Sequence, residues 1–188
     1  KEVFEKMEDY KKMNLDVNTF FEMTGMIGGI CNNPEDYASF YHNYKGRRYR
    51  HDQVHNLFGY NMTRAAGEAF EKIAPGKRFL IFSRASYIGM HRFGGIWQGD
   101  NASWWSHLKM NVKMMPSLNM CGFLYTGADV GGFGADATED LVLRWLEFAV
   151  FTPLLRNHSA RGTRRQEVYR FSHVEKFADV IGVRYQIL

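Results

Sequence analysis

The sequence predicts an α/β fold built of parallel βα units, and three observations predict it. Four short apolar runs of strand length recur: "FLIFS" at 79–83, "GGIW" at 94–97, "CGFLYT" at 121–126 and "FTPLL" at 151–155. Runs of this kind suit strands buried on both faces. Segments long enough for helices alternate with most of them, the arrangement that parallel strands require. Long polar or glycine-bearing loops follow the runs, and charged residues gather there: Arg84 after the first, Asp100 after the second, Asp129 after the third, and Arg156, Asn157 and His158 after the fourth. In parallel α/β folds the chemistry sits at the carboxyl ends of the strands.

Each element has its own signal. Over residues 1–13, Val3, Met7 and Tyr10 fall on one face of an amphipathic helix. Residues 14–32, with glycines at 25, 28 and 29, read as loop. Asn33 is set to cap a helix with Pro34 at its first position and Glu35 and Asp36 in its first turn. Tyr37, Phe40, Tyr41 and Tyr44 carry that helix to a stop at Gly46. A longer helix is expected over 56–74, closed by "PGKR". Asn101 can cap a helix over 102–115 that Pro116 ends, with the methionines at 110, 114, 115 and 120 packing inward. Asp136 with Glu139, and Ser172 with Glu175, have capping-box spacing for a helix over 137–150 and for a last helix reaching the end of the chain. A closed eight-stranded barrel takes ~250 residues. These 188 residues supply about half of one, so the remaining strands are expected in sequence N-terminal to this chain or in another chain.

Composition narrows the function. Charged residues at 23% and hydrophobic ones at 45% are those of a folded domain. A net charge of +4 with only short basic runs, "KGRR" and "RGTRR", does not make the stripe that tracks phosphates, so no nucleic-acid partner is expected. No apolar run reaches the ~18 residues of a membrane span. Cys31 and Cys121 lie far apart in apolar settings and form neither a disulfide framework nor a metal motif, and with no signal-peptide pattern in view they fit a reducing, cytoplasmic compartment. His51 and His55 stand four apart without a carboxylate or cysteine to complete a ligand set, so no metal is expected. "GGFG" lacks the Gly-Lys-Ser/Thr of a phosphate loop. Aromatics at 15% leave room for an aromatic-walled cleft, and "GGIWQGDNASWW" sets the single carboxylate Asp100 between Trp97 and the pair Trp104–Trp105. A sugar, apolar on its faces and hydroxylated at its edges, fits that surrounding.

Three stretches, "FSRASYIGMHRFGGIWQGDNASWW", "YTGADVGGFG" and "FTPLLRNHSARGTRRQ", closely resemble the catalytic half of family 31 glycoside hydrolases of the α-glucosidase type. "HNLFGYNMTRAAGEAF" at 55–70 is similar to the helix preceding that half. The resemblance runs from about residue 33 to the end, whereas 1–32 match loosely and would be a loop and helix insertion. It implies that residues 1–188 are the C-terminal portion of a (β/α)8 TIM barrel, from the loop after strand four to the last barrel helix, and incomplete in this chain.

The resemblance further implies a retaining α-glycosidase that needs no cofactor, acting on terminal α-linked glucose of oligosaccharides through a covalent glycosyl-enzyme. Asp100 of "WQGDN" matches the acid/base, a carboxyl group whose task is favoured by apolar walls that raise its pKa. Arg84 matches an arginine contacting sugar hydroxyls near the nucleophile, and His158 a histidine binding hydroxyls of the same ring. Trp97 and Phe133 match aromatic walls, and Asp129 and Arg92 positions that line or brace the site. The nucleophile's W-x-D-x-N-E-P-like motif has no counterpart here: "NLDVNTFF" lacks the Glu-Pro, so Asp16 reads as a turn residue and the nucleophile is expected outside this chain. Cleavage of α-xylosides, glucosyl transfer, and a non-catalytic carbohydrate-binding remnant are the alternatives.

Overall fold

The structure, a computed structural model, describes residues 34–188. The helix expected over 1–13, Asp16 and Cys31 lie outside the described residues. The chain divides into two compact units, one up to His55 and one from Asn56 onward.

In the first unit, helix α1 (Pro34–Ser39) is followed by a hairpin of β1 (Tyr41–Tyr44) and β2 (Arg47–Arg50). The helix expected to run to Gly46 therefore ends early. Lys45 and Gly46 both take positive φ, +48° and +74°, which is the two-residue turn that matches strand twist. Tyrosines suit a pleated surface better than a short helix, and the pairs Tyr41↔Arg50 and Tyr44↔Arg47 fix the register. The guanidinium of Arg48 lies 3.8 Å from the centre of the Tyr41 ring. Helix α2 (His51–Ile73) begins five residues before its expected start, as the His51 N–H donates to the Phe40 carbonyl. Its first turn carries a chain of histidines: His42 Nε2 lies 2.8 Å from His51 Nδ1, and His51 Nε2 lies 3.0 Å from His55 Nδ1. Burial, and then the neighbouring His55 and His42, hold His51 below the usual histidine range. No group of three or more His, Cys, Asp or Glu side chains among the described residues, these histidines included, is arranged to hold a metal ion.

The second unit is organised by a parallel sheet in the order β3 (Ile96–Trp97), β4 (Thr126–Val130), β5 (Leu154–Asn157). The α/β class and the parallel strands are as expected; a closed barrel is not seen among the described residues. The strands sit further along the chain than the apolar runs suggested. Leu124, Tyr125 and Phe151 stay exposed, and Gly122 at φ +90° turns the chain beyond the end of α3 (Trp105–Met120). The strand that follows, "TGADV", is buried at all five positions although only two of them are apolar. Its composition is set by close packing. A Cβ on Gly127 would lie within 2.2 Å of the Leu154 carbonyl oxygen, so only glycine fits between its register partners Trp97 and Leu154. "FLIFS" forms no full strand. Among the described residues it pairs only through Phe82↔Gly95, with Gly95 donating to the Ile81 carbonyl and Ser83 to that of Gly95.

Helix α3 runs through Pro116 for a further turn, against expectation. The proline forgoes one backbone bond, and the helix ends instead at Cys121, which is exposed rather than set in an apolar environment. Of its methionines only Met115 is buried; Met110, Met114 and Met120 face solvent. Trp104, not Asn101, is its N-cap residue. Helix α4 (Glu139–Ala149) is capped by Thr138, whose hydroxyl accepts from the Leu141 N–H, while Asp136 accepts from the Arg164 N–H. Helix α5 (Val174–Ile187) starts at His173 without a capping side chain of its own. Glu139 closes it from α4 by accepting the N–H groups of Ser172 and His173.

The core lies between β4 and these helices. Ala128 and Val130 alternate with Asp129 along β4 and pack with Leu141, Val142, Trp145 and Leu146 of α4 and Phe177 of α5. Trp145 and Phe177 are fully buried, and each contributes on the order of 2–3 kcal/mol by burial. The other face of the sheet carries Trp97, Asp129 and Arg156, and so positions the site. No described helix is long and apolar enough to cross a membrane.

Candidate active site

Parallel register brings the site together. Asp129 of β4 is the direct partner of Arg156 on β5, and Trp97 of β3 is the partner of Gly127, two residues before Asp129 on the same face. Arg156 donates from Nε at 2.8 Å and from Nη2 at 2.5 Å, both to Oδ1 of Asp129. Asp129 is fully buried, and burial pushes its carboxyl above the usual range; Arg156 opposes that shift most, then His158. The buried indole N–H of Trp97 also favours the charged form, although it does not reach hydrogen-bond geometry. Arg156 was legible only as one of three polar residues at a strand end, yet it is the ion partner that holds the buried Asp129.

A second pair lies at the end of β3. Arg84 Nη1 is 3.3 Å from Asp100 Oδ2, with the side chains 57% and 45% exposed. Such an open pair contributes less than about 1 kcal/mol to stability. The two pairs share one platform, because the guanidiniums of Arg84 and Arg156 lie 5.1 and 4.9 Å from the Trp97 ring centre. Gly99 at φ +83° makes the turn before Asp100, and the Arg84 side chain packs within 3.6 Å of where a Cβ would stand.

The loop bearing Asp100 is tied to the loop after β4. The Asn101 carbonyl accepts from the N–H groups of Phe133 and Gly134, and the Ser103 N–H donates to the Gly134 carbonyl. The Asn101 side chain, buried, accepts from Asn111 of α3 instead of capping that helix. Gly132 allows this approach, since a Cβ there would fall 2.6 Å from Ser103 Cα. Phe133 meets His158 with ring centres 5.1 Å apart, and the Phe133 carbonyl accepts from the Ala160 N–H, which links the loops after β4 and β5.

Trp97, Asp100, Asp129, Phe133 and His158 thus stand at or after the ends of β3, β4 and β5, and Arg84, which follows the Phe82 bridge, joins them through Asp100 and Trp97. Arg92 stands apart. It donates to the Tyr60 hydroxyl at 2.8 Å and to the Gly89 carbonyl, bracing the 84–93 loop against α2. Trp104 and Trp105 are half-exposed where α3 begins, Trp104 set edge-on to His107.

Residues 3–188 match the model of the glycosyl hydrolases family 31 TIM-barrel domain. The chain belongs to glycosyl hydrolase family 31. It is 38% identical over 151 residues to alpha-glucosidase 2 of Bacillus thermoamyloliquefaciens, covering 78% of this chain and 19% of that protein. Its fold is similar to that of the glucosidase II alpha subunit in an alpha3-Glc2-bound form, with TM-score 0.68, 35% identity, and coverage of 73% of this chain and 15% of that one. It is also similar to the Flavobacterium johnsoniae GH31 dextranase complexed with glucose, with TM-score 0.72, 26% identity, and coverage of 82% and 20%. The chain therefore spans about a fifth or less of the length of the family 31 relatives named here.

Proposed function

We propose that this chain is part of a retaining α-glucosidase that hydrolyses terminal α-linked glucose from oligosaccharides, with Asp100 as acid/base. The observation that carries the reading is the open Arg84–Asp100 pair at the end of β3, beside the Trp97 platform. Asp100 would protonate the glycosidic oxygen as the bond breaks, and its carboxylate would then take a proton from the attacking water. An ionised Asp100 has a cation 3.3 Å away in that second step. Arg84 and His158 would bind sugar hydroxyls, Trp97 and Phe133 would wall the ring, and Asp129 and Arg92 would brace the site from behind.

The carboxylate that attacks the anomeric carbon belongs, on this reading, to sequence outside the chain, as do the remaining strands of the barrel; the small share of its relatives that the chain spans supports this. Residues 1–188 would then be one part of the catalytic barrel, with 1–32 an insertion in it. The test is the release of glucose and of xylose from aryl α-glycosides by the complete protein. Glucose release with retention of configuration is expected. Release of xylose alone, or of neither sugar, overturns the reading.

A further inference from the structure

Gln166 lies in a segment with no regular secondary structure and takes no part in the proposed chemistry. Its side chain is 3% exposed, and its amide is inserted behind the site. Nε2 donates to the carbonyls of Val130 at 2.9 Å and Gly132 at 3.2 Å, and more weakly to that of His158 at 3.4 Å. All three neighbours are acceptors, so only the NH2 end of an amide fits there. Gln166 is itself held, because Asn157 Nδ2 donates to its backbone carbonyl at 2.8 Å. The amide also packs against the turn at Gly131, φ +85°, where a Cβ would come within 3.4 Å of it.

These bonds span both walls of the site. Val130 follows Asp129, Gly132 precedes Phe133, and His158 is the ring facing Phe133. Backbone carbonyls of two separate loops thus converge on one side chain. From this convergence we infer that Gln166 is a positioning residue, which clamps the loops after β4 and β5 so that Phe133 and His158 present one surface to the sugar. The inference rests on the proposed sugar site. It assigns Gln166 no contact with substrate and no proton to move.

The clamp acts on ground-state and transition-state binding alike, and loss of uniform binding raises KM while leaving kcat in place. In the complete protein, Gln166→Met keeps the length and apolar stem but removes both donors. The expected result on an aryl α-glucoside is a KM raised about tenfold with kcat within about threefold, and an unchanged pH profile of kcat. Gln166→Glu is expected to be worse than Gln166→Met, since a carboxylate would face carbonyl oxygens. If Gln166→Met does not fold, Asn157→Ala, which frees the Gln166 carbonyl, should show the same split to a smaller degree. A lowered melting temperature with unchanged KM, or a loss confined to kcat, overturns the inference. Wild-type protein that neither binds nor cleaves glucosides overturns the sugar-site reading and this inference with it; active wild-type with an unmoved KM in the variants overturns this inference alone.

Discussion

Arg156 grips a single oxygen of the fully buried Asp129 with two of its nitrogens, across adjacent strands in direct register. The pair is asymmetric: Arg156 remains 39% exposed while Asp129 has no exposed surface. Removing the arginine therefore strands a buried carboxylate that has no other ion partner among the described residues. Arg156→Met is expected to lower unfolding stability by about 3 kcal/mol, the low end of the range for broken buried pairs, because water still reaches the arginine side. Urea unfolding of the variant and the parent checks this, and a loss below about 1 kcal/mol would show that the pair is mere surface decoration.

The same carboxylate sets a pH dependence. Burial raises the folded-state pKa of Asp129 above its ordinary value of 3.8, with Arg156 only partly offsetting it. The folded protein then binds this proton more tightly than the unfolded chain. The group's contribution is fully present below 3.8 and is lost as pH rises through the raised value. The stability of the parent relative to Asp129→Asn should therefore fall with rising pH across that window. Paired denaturant titrations read it directly, and a difference that grows with pH would contradict the assignment.

Glu139 has the opposite sign. Burial alone would raise its pKa, but the His173 backbone N–H, the His173 ring and the Ser172 N–H outweigh it and bring the carboxyl below its ordinary value of 4.5. The stabilisation is present above 4.5 and is lost as pH falls through the lowered value. Glu139→Gln should remove that acid-side loss and loosen the start of α5. Hydrogen exchange at Ser172 and His173 is the measurement, with faster exchange at both amides expected at neutral pH.

Legibility in the sequence followed how local each signal was. The parallel α/β class was legible because apolar runs and helices alternate along the chain. The motifs that make Asp100, Arg84 and His158 candidates were legible because they are contiguous. The strand positions were not. "TGADV" is buried by close packing on Gly127, which hydrophobicity does not record, whereas Leu124 and Tyr125 look like core and face solvent. The hairpin at 41–50 was hidden because aromatic residues at i, i+3 and i+4 imitate a helix, and only the Lys45–Gly46 turn betrays it. Asn101 and Glu139 have the right chemistry for caps but spend it on partners elsewhere, Asn111 and the start of α5. Arg156 and Gln166 were not singled out, because the contacts that tie them to β4 and the loop after it come from residues 27 to 36 positions away.

If Asp100 delivers the proton to the oxygen leaving the sugar, kcat/KM of Asp100→Ala on two substrates shows it. One substrate is an α-glucoside of an acidic phenol that departs without help; the other is an α-linked disaccharide that needs the proton. A loss of about a hundredfold to ten-thousandfold is expected on the disaccharide, and a far smaller loss in glycosyl-enzyme formation on the glucoside of the acidic phenol. Equal losses in kcat/KM, which reports glycosyl-enzyme formation, on both substrates would contradict it.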